Sequence, residues 1–245
     1  MSLAFLTPDV TASREVLARS PMERLAVDAG ARLSRVEGWS MAKAYSEPSI
    51  EWERLTRTVA FADRSSLTKL ELQAEPQELA WIVAPASDGG GLKLEPGMAE
   101  HVTGTWWCPV TPSRVLMLGE SGQAPALRAT LEQAAEEARG TVTVLDVTCG
   151  LAAMSLIGPG ARELLARFCA IDVRPALAPP GAFRPGSVAR TPGYVLVEAE
   201  DRLLVLVGWA LGEYLWQVVA DAAAQLGGGP VGAEALAHYR DRDDA

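Results

Sequence analysis

Two aspartates, each two positions ahead of a hydroxyl side chain, are the first residues whose spacing suggests chemistry. Asp63 precedes Ser65, Asp146 precedes Thr148, and each pair leads into an apolar run. A positioned carboxylate can act as a general base. An Asp side chain also accepts a hydrogen bond from the backbone two residues further on, which caps a turn. The second interpretation is favoured, so we predict a capped turn at both places.

Other reactive residue types also have a structural interpretation. Cys149 would be a nucleophile if a base activated it, but no histidine accompanies it locally, so a small buried thiol is favoured. The Trp106 and Trp107 rings would stack on a cofactor, or place one ring in the core and one at a subunit contact, which is favoured. His101 and His238 are far apart and no C-x-x-C occurs, so a zinc site is not expected.

Composition excludes several classes of protein. The 245 residues carry a formal net charge of −9, and phosphate groups would repel such a chain, so we expect neither nucleic-acid nor anionic-membrane binding. The three cysteines share no short spacing, which argues against a disulfide framework and favours a cytoplasmic protein. We identify no signal peptide and no apolar run long enough to span a membrane.

The order of predicted elements repeats along the chain. Asp63 and Asp146 lie 83 residues apart (146 − 63), and each half contains a strand, a helix begun by proline, a loop, a strand pair and a helix. In the first strand, Leu67–Gln73, the alternation predicts one buried face and one wet face carrying Lys69, Glu71 and Gln73. We therefore predict one α+β domain over residues 1–245, with duplicated βαββαβ-like halves at about 57–140 and 141–227 and an N-terminal helical segment at 13–56.

Several motifs, taken in order, resemble one known superfamily. The opening reads S-P-M-E-R-L from Ser20, then G-W-S-M from Gly38 and A-F-A-D-R-S from Ala60. Later come L-I-G-P-G-A-R-E-L-L from Leu156 and P-V-G-A-E-A-L from Pro230. Over nearly the whole chain, this series resembles the glycine-cleavage T-protein (aminomethyltransferase) superfamily, and it is most similar to the gamma subunit of heterotetrameric sarcosine oxidase.

The resemblance implies a fold, a function and partners. The fold would be the duplicated folate-binding domain with two pseudo-symmetric halves and no C-terminal barrel domain. The function would be that of a gamma-like subunit, itself non-catalytic, which supports a heteromeric flavin-dependent amine oxidase built on larger flavoprotein subunits. The alternative is a tetrahydrofolate-dependent aminomethyltransferase, or a folate-binding protein, with an altered site. A scaffold like the folate-binding iron–sulfur maintenance proteins is less favoured, because their K-G-C-Y motif is missing.

The family's reactive residues are only partly present. The G-G-x-x-D-D-type stretch reads G-G-L-K-L-E from Gly90, so the paired aspartates are missing and we assign no catalytic residue. The pterin-binding G-Y-T-G-E stretch reads G-Y-V-L-V-E from Gly193. Tyr194 and Glu198 are therefore the only candidate folate contacts, and a missing carboxylate would leave pterin donors unpaired at roughly 1–3 kcal/mol each. Tetrahydrofolate is the one cofactor that the resemblance allows.

Overall fold

The computed structural model describes residues 17–84 and 92–243, with side chains described as far as Tyr239. The helices are α1 (Glu23–Asp28), α2 (Pro48–Arg57), α3 (Pro76–Val83), α4 (Ala124–Glu136), α5 (Ala161–Ala166), α6 (Gly212–Ala224) and α7 (Ala233–Asp243). The first seven strands are β1 (Ala18–Arg19), β2 (Arg32–Val36), β3 (Trp39–Ala44), β4 (Ala60–Asp63), β5 (Thr68–Gln73), β6 (Glu100–Val102) and β7 (Thr105–Thr111). The others are β8 (Arg114–Gly119), β9 (Thr143–Asp146), β10 (Leu151–Ile157), β11 (Phe183–Val188), β12 (Thr191–Ala199), β13 (Arg202–Gly208) and β14 (Gly229–Pro230).

Two sheets of matching strand order form the body of the molecule. One runs β6-β7-β8-β5-β9, and the other runs β11-β12-β13-β10-β4 with β14 added at its edge. The halves exchange one strand: β4, which precedes β5 in the chain, pairs with β10, and β9, which precedes β10, pairs with β5. Because each sheet contains a strand from the other half, the two halves of this α+β fold are built as one unit.

The sheets pack face to face with helices outside them. Alternation along β8 shows the arrangement, since Val115 and Met117 pack with the α3 and α4 side chains while Leu116 and Leu118 face the other sheet. Helices α5 and α6 cover the outer face of the second sheet. Inner strands are therefore buried on both faces.

This double burial corrects the predicted wet face of β5. Lys69 is fully buried and Glu71 is 9% exposed, because this face of β5 meets the second half of the molecule rather than solvent. The βαββαβ description is also too short. Each half is ββαβββα. The sequence patterns do not predict the short strands β4 and β6, or β11, which begins inside a proline-rich stretch.

The N-terminal segment, predicted as a helical entry at 13–56, combines helices with strands. It contains α1 and α2 and also a three-stranded sheet of order β1-β3-β2; residues 13–16 lie outside the described part. Glu37 and Gly38 join β2 to β3 with φ of 48° and 76°, the positive values that a tight two-residue hairpin turn uses. The segment thus forms a small sheet beside the main body.

Glu51 of α2 fastens this segment to the rest of the chain. Its buried carboxylate accepts hydrogen bonds from the backbone N–H groups of Tyr45 (2.6 Å), Ser46 (2.8 Å) and Gly232 (2.8 Å). Gly232 lies so close to β3 that a Cβ there would come 2.1 Å from the Lys43 carbonyl oxygen. Helix α7, which begins at the next residue, is held against β3 by these contacts.

Candidate functional site

The two Asp turns, at Asp63 and Asp146, lie at the ends of β4 and β9, the two strands that the halves exchange. Asp63 Oδ1 accepts the Ser65 N–H at 2.9 Å, and Asp146 Oδ1 accepts the Thr148 N–H at 2.9 Å. Both are the predicted turn caps, and that prediction is confirmed. The Ser65 hydroxyl oxygen then accepts the Ala153 N–H (3.2 Å), while the Thr148 hydroxyl oxygen accepts the N–H of Lys69 (3.1 Å). Each turn is thereby bonded to an inner strand of the other half, β10 for Ser65 and β5 for Thr148.

Lys69 joins the two turns. Its ammonium group donates to the carbonyl oxygens of Ser65 (2.8 Å), Leu67 (2.9 Å) and Thr148 (3.1 Å). Burial lowers the pKa of Lys69 from its ordinary 10.5 to about 8, although the nearby charge of Asp63 opposes the shift. The sequence alternation hid this residue, because it placed Lys69 on a solvated face.

The surroundings of the two carboxylates differ. Burial raises the pKa of Asp63, and hydrogen bonds from Ser20 and Ser65 oppose this effect. Asp63 and Arg64 border a cavity of about 280 Å³, to which β2, β3 and α7 also contribute. Asp146 is exposed and borders a separate, open cleft with Thr148 and Cys149.

Cys149 corrects one prediction. It is exposed at this cleft and not buried as expected, whereas Cys108 and Cys169 are buried. Trp107 is fully buried, and Trp106 is half-buried against His101 with ring centroids 4.7 Å apart. The core ring is therefore as predicted, while the subunit contact of the second ring stays a prediction.

The space between the two sheets is filled by side chains. Buried members from the first sheet include Cys108, Leu116 and Leu118, and those from the second include Leu196 and Leu206. Tyr194 on β12 closes one end of this layer. Its ring stacks on Phe183 at 5.5 Å and 12°, and its hydroxyl accepts a hydrogen bond from Arg114 at 3.2 Å.

Within the described residues, the cavity that Glu198 borders is not lined by Tyr194. Glu198 lies at a bulge in β12, where its side chain is 7% exposed and 3.5 Å from the Arg202 guanidinium. Burial, together with the charge of Glu198, raises the pKa of the Cys108 thiol. The cavity that Glu198 borders has a volume of about 40 Å³, whereas ligand pockets typically measure about 300–1,000 Å³. This geometry does not fit a pterin, and folate contact by Tyr194 and Glu198 stays a prediction.

Charge around Tyr194 is already paired within the protein. Arg114, which donates to Tyr194, also forms a 2.6 Å ion pair with Glu71, and Gln73 donates to the same carboxylate at 2.6 Å. These groups tie β5 and β8 of the first sheet to β12 of the second. The arrangement holds the halves together rather than presenting a free acid or base.

Comparison with known proteins places this fold. Among solved structures, a chain of the heterotetrameric sarcosine oxidase from Corynebacterium sp. U-96, in complex with pyrrole 2-carboxylate, has a TM-score of 0.66 and 24% identity, covering 85% of this chain and 96% of that one. The glycine cleavage system aminomethyltransferase T from Bartonella henselae has a TM-score of 0.68 and 17% identity, covering 89% of this chain and 60% of that one. At these identities the likeness is one of fold.

Sequence comparison gives the family. No curated protein matches the sequence. None of the helices in the described part of the chain is long and apolar enough to cross a membrane. The sequence profile of the sarcosine oxidase, gamma subunit family matches residues 83–225, which is more than half of the chain. This chain therefore belongs to the sarcosine oxidase gamma subunit family.

Proposed function

We propose that this chain is a non-catalytic gamma subunit of a heteromeric, flavin-dependent amine oxidase of the sarcosine oxidase type. It binds larger flavoprotein subunits and contributes structure rather than reacting groups. The observation that carries the proposal is the apolar filling of the space between the two sheets, where a ligand held by both halves would lie.

The use of the carboxylates supports the same conclusion. Asp63 and Asp146 cap turns, Glu71 pairs with Arg114, and Glu198 pairs with Arg202 beside a cavity of about 40 Å³. A catalytic acid or base must reach the reacting atoms within hydrogen-bond distance. These four groups are instead bonded to their own chain.

Co-expression with the larger subunits of a sarcosine-oxidase-type complex tests the assembly. Size exclusion with absorbance recorded at protein and flavin wavelengths should give one peak that contains this chain and flavin together. A chain that elutes alone as a monomer, in the presence of larger subunits that bind one another, would contradict the proposal.

Calorimetry tests the folate-binding alternative. Titration of tetrahydrofolate into the chain should give no binding heat at millimolar ligand, because the Glu198 cavity is too small for a pterin. Micromolar binding to the wild type that is lost in Glu198→Gln would favour the alternative and assign the prediction for Glu198.

A further inference from the structure

The turn between β11 and β12 holds two residues in a conformation that their types disfavour. Ala189 has a φ of 47° and Arg190 has a φ of 63°. These positive values are those of a two-residue hairpin turn, and Val188 pairs with Thr191 across it. Glycine adopts such values without steric cost, because it has no Cβ. In the described part of the chain, no other pair of adjacent residues has positive φ at both positions without including a glycine.

The matching turn of the first half shows which residue the fold itself favours. β6 and β7 occupy the places in the first sheet that β11 and β12 occupy in the second. Their turn is Thr103-Gly104, with φ of 50° and 76°, and the β2–β3 turn is Glu37-Gly38. Both turns have glycine at the second position, where the second half has Arg190. Because arginine at this position makes the fold less stable, its presence there indicates a function for the side chain.

Neighbouring segments hold the β11–β12 turn in place. The hydroxyl of Tyr214, on α6, donates to the Ala189 carbonyl oxygen at 3.0 Å, and the Ala189 N–H donates to the Phe168 carbonyl oxygen at 3.1 Å. Ala189 is 4% exposed, whereas Arg190 is exposed. The backbone of the turn is therefore fixed on both sides of Ala189, so the Arg190 side chain leaves the surface from a fixed point. A group that is positioned in advance loses less freedom when it binds.

The Arg190 guanidinium is free in this structure. It has no hydrogen bond or ion pair with any residue in the described part of the chain. Glu213, which precedes Tyr214 in α6, is instead bound by Arg24 through two hydrogen bonds of 2.8 Å. The Tyr214 side chain, bonded to this turn, is 41% exposed. Arginine and tyrosine are among the residue types that contribute most of the binding energy in protein interfaces.

We propose that Arg190 and Tyr214 contact the larger oxidase subunit, where the Arg190 guanidinium pairs with an Asp or Glu carboxylate and apolar side chains cover the Tyr214 ring. This inference rests on the proposed function, because the partner is the larger subunit. A guanidinium donates two parallel hydrogen bonds to a carboxylate, so its charge and shape select an acidic side chain. The formal net charge of −9 repels acidic groups elsewhere on the chain, which makes a free arginine a specific place for one.

A small free carboxylate is a weaker occupant of the same place. An ion pair that stays exposed to water contributes little binding energy, and Arg190 alone supplies one such pair. A protein surface that covers both Arg190 and the Tyr214 ring excludes water, which strengthens the ion pair and adds an apolar contact. The geometry therefore favours a carboxylate that belongs to a larger surface.

Arg190→Gly separates the role of the side chain from the needs of the fold. In the isolated chain it should raise the melting temperature by about 2–4 °C, because glycine suits the turn. Gly104→Arg should lower the melting temperature by a similar amount, since a Cβ at residue 104 meets no atom within 4 Å and only the backbone is strained. In the assembled complex, Arg190→Gly should weaken binding to the co-expressed larger subunits by about tenfold or more. Arg139→Ala is the matched control, because Arg139 is likewise exposed and free in the described part of the chain, and it should bind like the wild type.

Cross-linking identifies the group that Arg190 contacts. Arg190→Lys keeps the charge and introduces an amine that a carbodiimide couples to an adjacent carboxylate. Mass spectrometry of the treated complex should find the introduced lysine joined to an Asp or Glu of the larger subunit, whereas Arg139→Lys should give no such link.

The outcomes of these experiments separate the inference from the proposed function. Binding by Arg190→Gly within about twofold of the wild type, in a complex that assembles, would overturn the inference and leave the proposed function standing. A wild-type chain that forms no complex would remove both. A dimer of the isolated chain that Arg190→Glu dissociates would overturn the inference by assigning the arginine to a second copy. Binding heat from millimolar succinate that Arg190→Gly abolishes would overturn it by assigning the arginine to a small carboxylate.

Discussion

The two Asp turns, at Asp63 and Asp146, have the same local sequence pattern and the same hydrogen bonds, yet they lie in different surroundings. Around Asp63 the Ser65 side chain is buried, and the N-terminal segment lies over the turn. Around Asp146 the carboxylate and Cys149 are exposed. A local motif therefore determines the turn, while a distant segment determines its electrostatics. Substitutions that remove the cover, or compare the turns directly, test this distinction.

Detaching the N-terminal segment from the Asp63 turn should have the largest effect on stability. Glu51→Ala removes the acceptor for three backbone N–H groups, those of Tyr45, Ser46 and Gly232, and should lower the free energy of unfolding by about 3–5 kcal/mol. Urea denaturation measures the loss. Glu53→Ala, on the exposed side of the same helix, is the control and should change stability by less than about 0.5 kcal/mol. Equal effects of the two substitutions would contradict the role given to Glu51.

Direct comparison of the turns comes next. Asp63→Ala should lower the free energy of unfolding by about 1–3 kcal/mol, because it leaves the backbone N–H of the buried residue Ser65 without its acceptor. Asp146→Ala should cost less than about 1 kcal/mol, because water replaces the lost acceptor at an exposed turn. A larger loss for Asp146→Ala in the same urea titration would reverse the comparison.

The lowered pKa of Lys69, which bonds to both turns, predicts that the free energy of unfolding depends on pH. Its pKa is about 8 in the folded protein and ordinarily 10.5, so between these values the unfolded chain binds more protons. Stability from this residue is fully present above pH 10.5 and is lost as the pH falls through about 8. The difference in unfolding free energy between wild type and Lys69→Met should therefore grow by up to about 3 kcal/mol from pH 8 to 10.5. A flat difference would show that Lys69 titrates normally.

The smallest expected effect concerns the open turn. Cys149 should react with a thiol reagent in the native protein, while Cys108 and Cys169 should react only after unfolding, because burial shields them and raises their pKa values. Modification at Cys149 should change the unfolding midpoint little. If no thiol of the native protein reacts rapidly, or if one still does in the Cys149→Ser variant, the assignment of the exposed thiol to Cys149 is wrong.

Much of the fold follows from local patterns. Prolines at the start of α3 and α4, the apolar run of β8 and the hairpin between β12 and β13 are all predicted from the sequence. Both Asp turns were predicted because an Asx turn depends on four neighbouring residues only. Family membership was also accessible, because ordered motifs spread along the chain carried the resemblance.

Other features depend on packing between distant parts of the chain. Lys69 and Glu71 alternate with apolar residues as a solvated face would, and only the second sheet reveals that they are buried. A sequence motif makes Glu198 a candidate folate contact, but the bulge in β12 and the adjacent Arg202 decide what it contacts. The environments of these residues depend on long-range packing, which a single sequence does not show directly, whereas the Asp turns depend on neighbouring residues alone.

The most direct test of a non-catalytic subunit is the turnover of the assembled oxidase when this chain loses its candidate reactive carboxylates. Amine oxidation per flavin should be measured in complexes containing wild type, Glu198→Gln or Asp63→Asn, with assembly verified by size exclusion. Unchanged kcat within about twofold in every intact complex is the predicted result. A fall in kcat of about 100-fold or more, in a complex that still assembles with full flavin content, would place a catalytic group in this subunit.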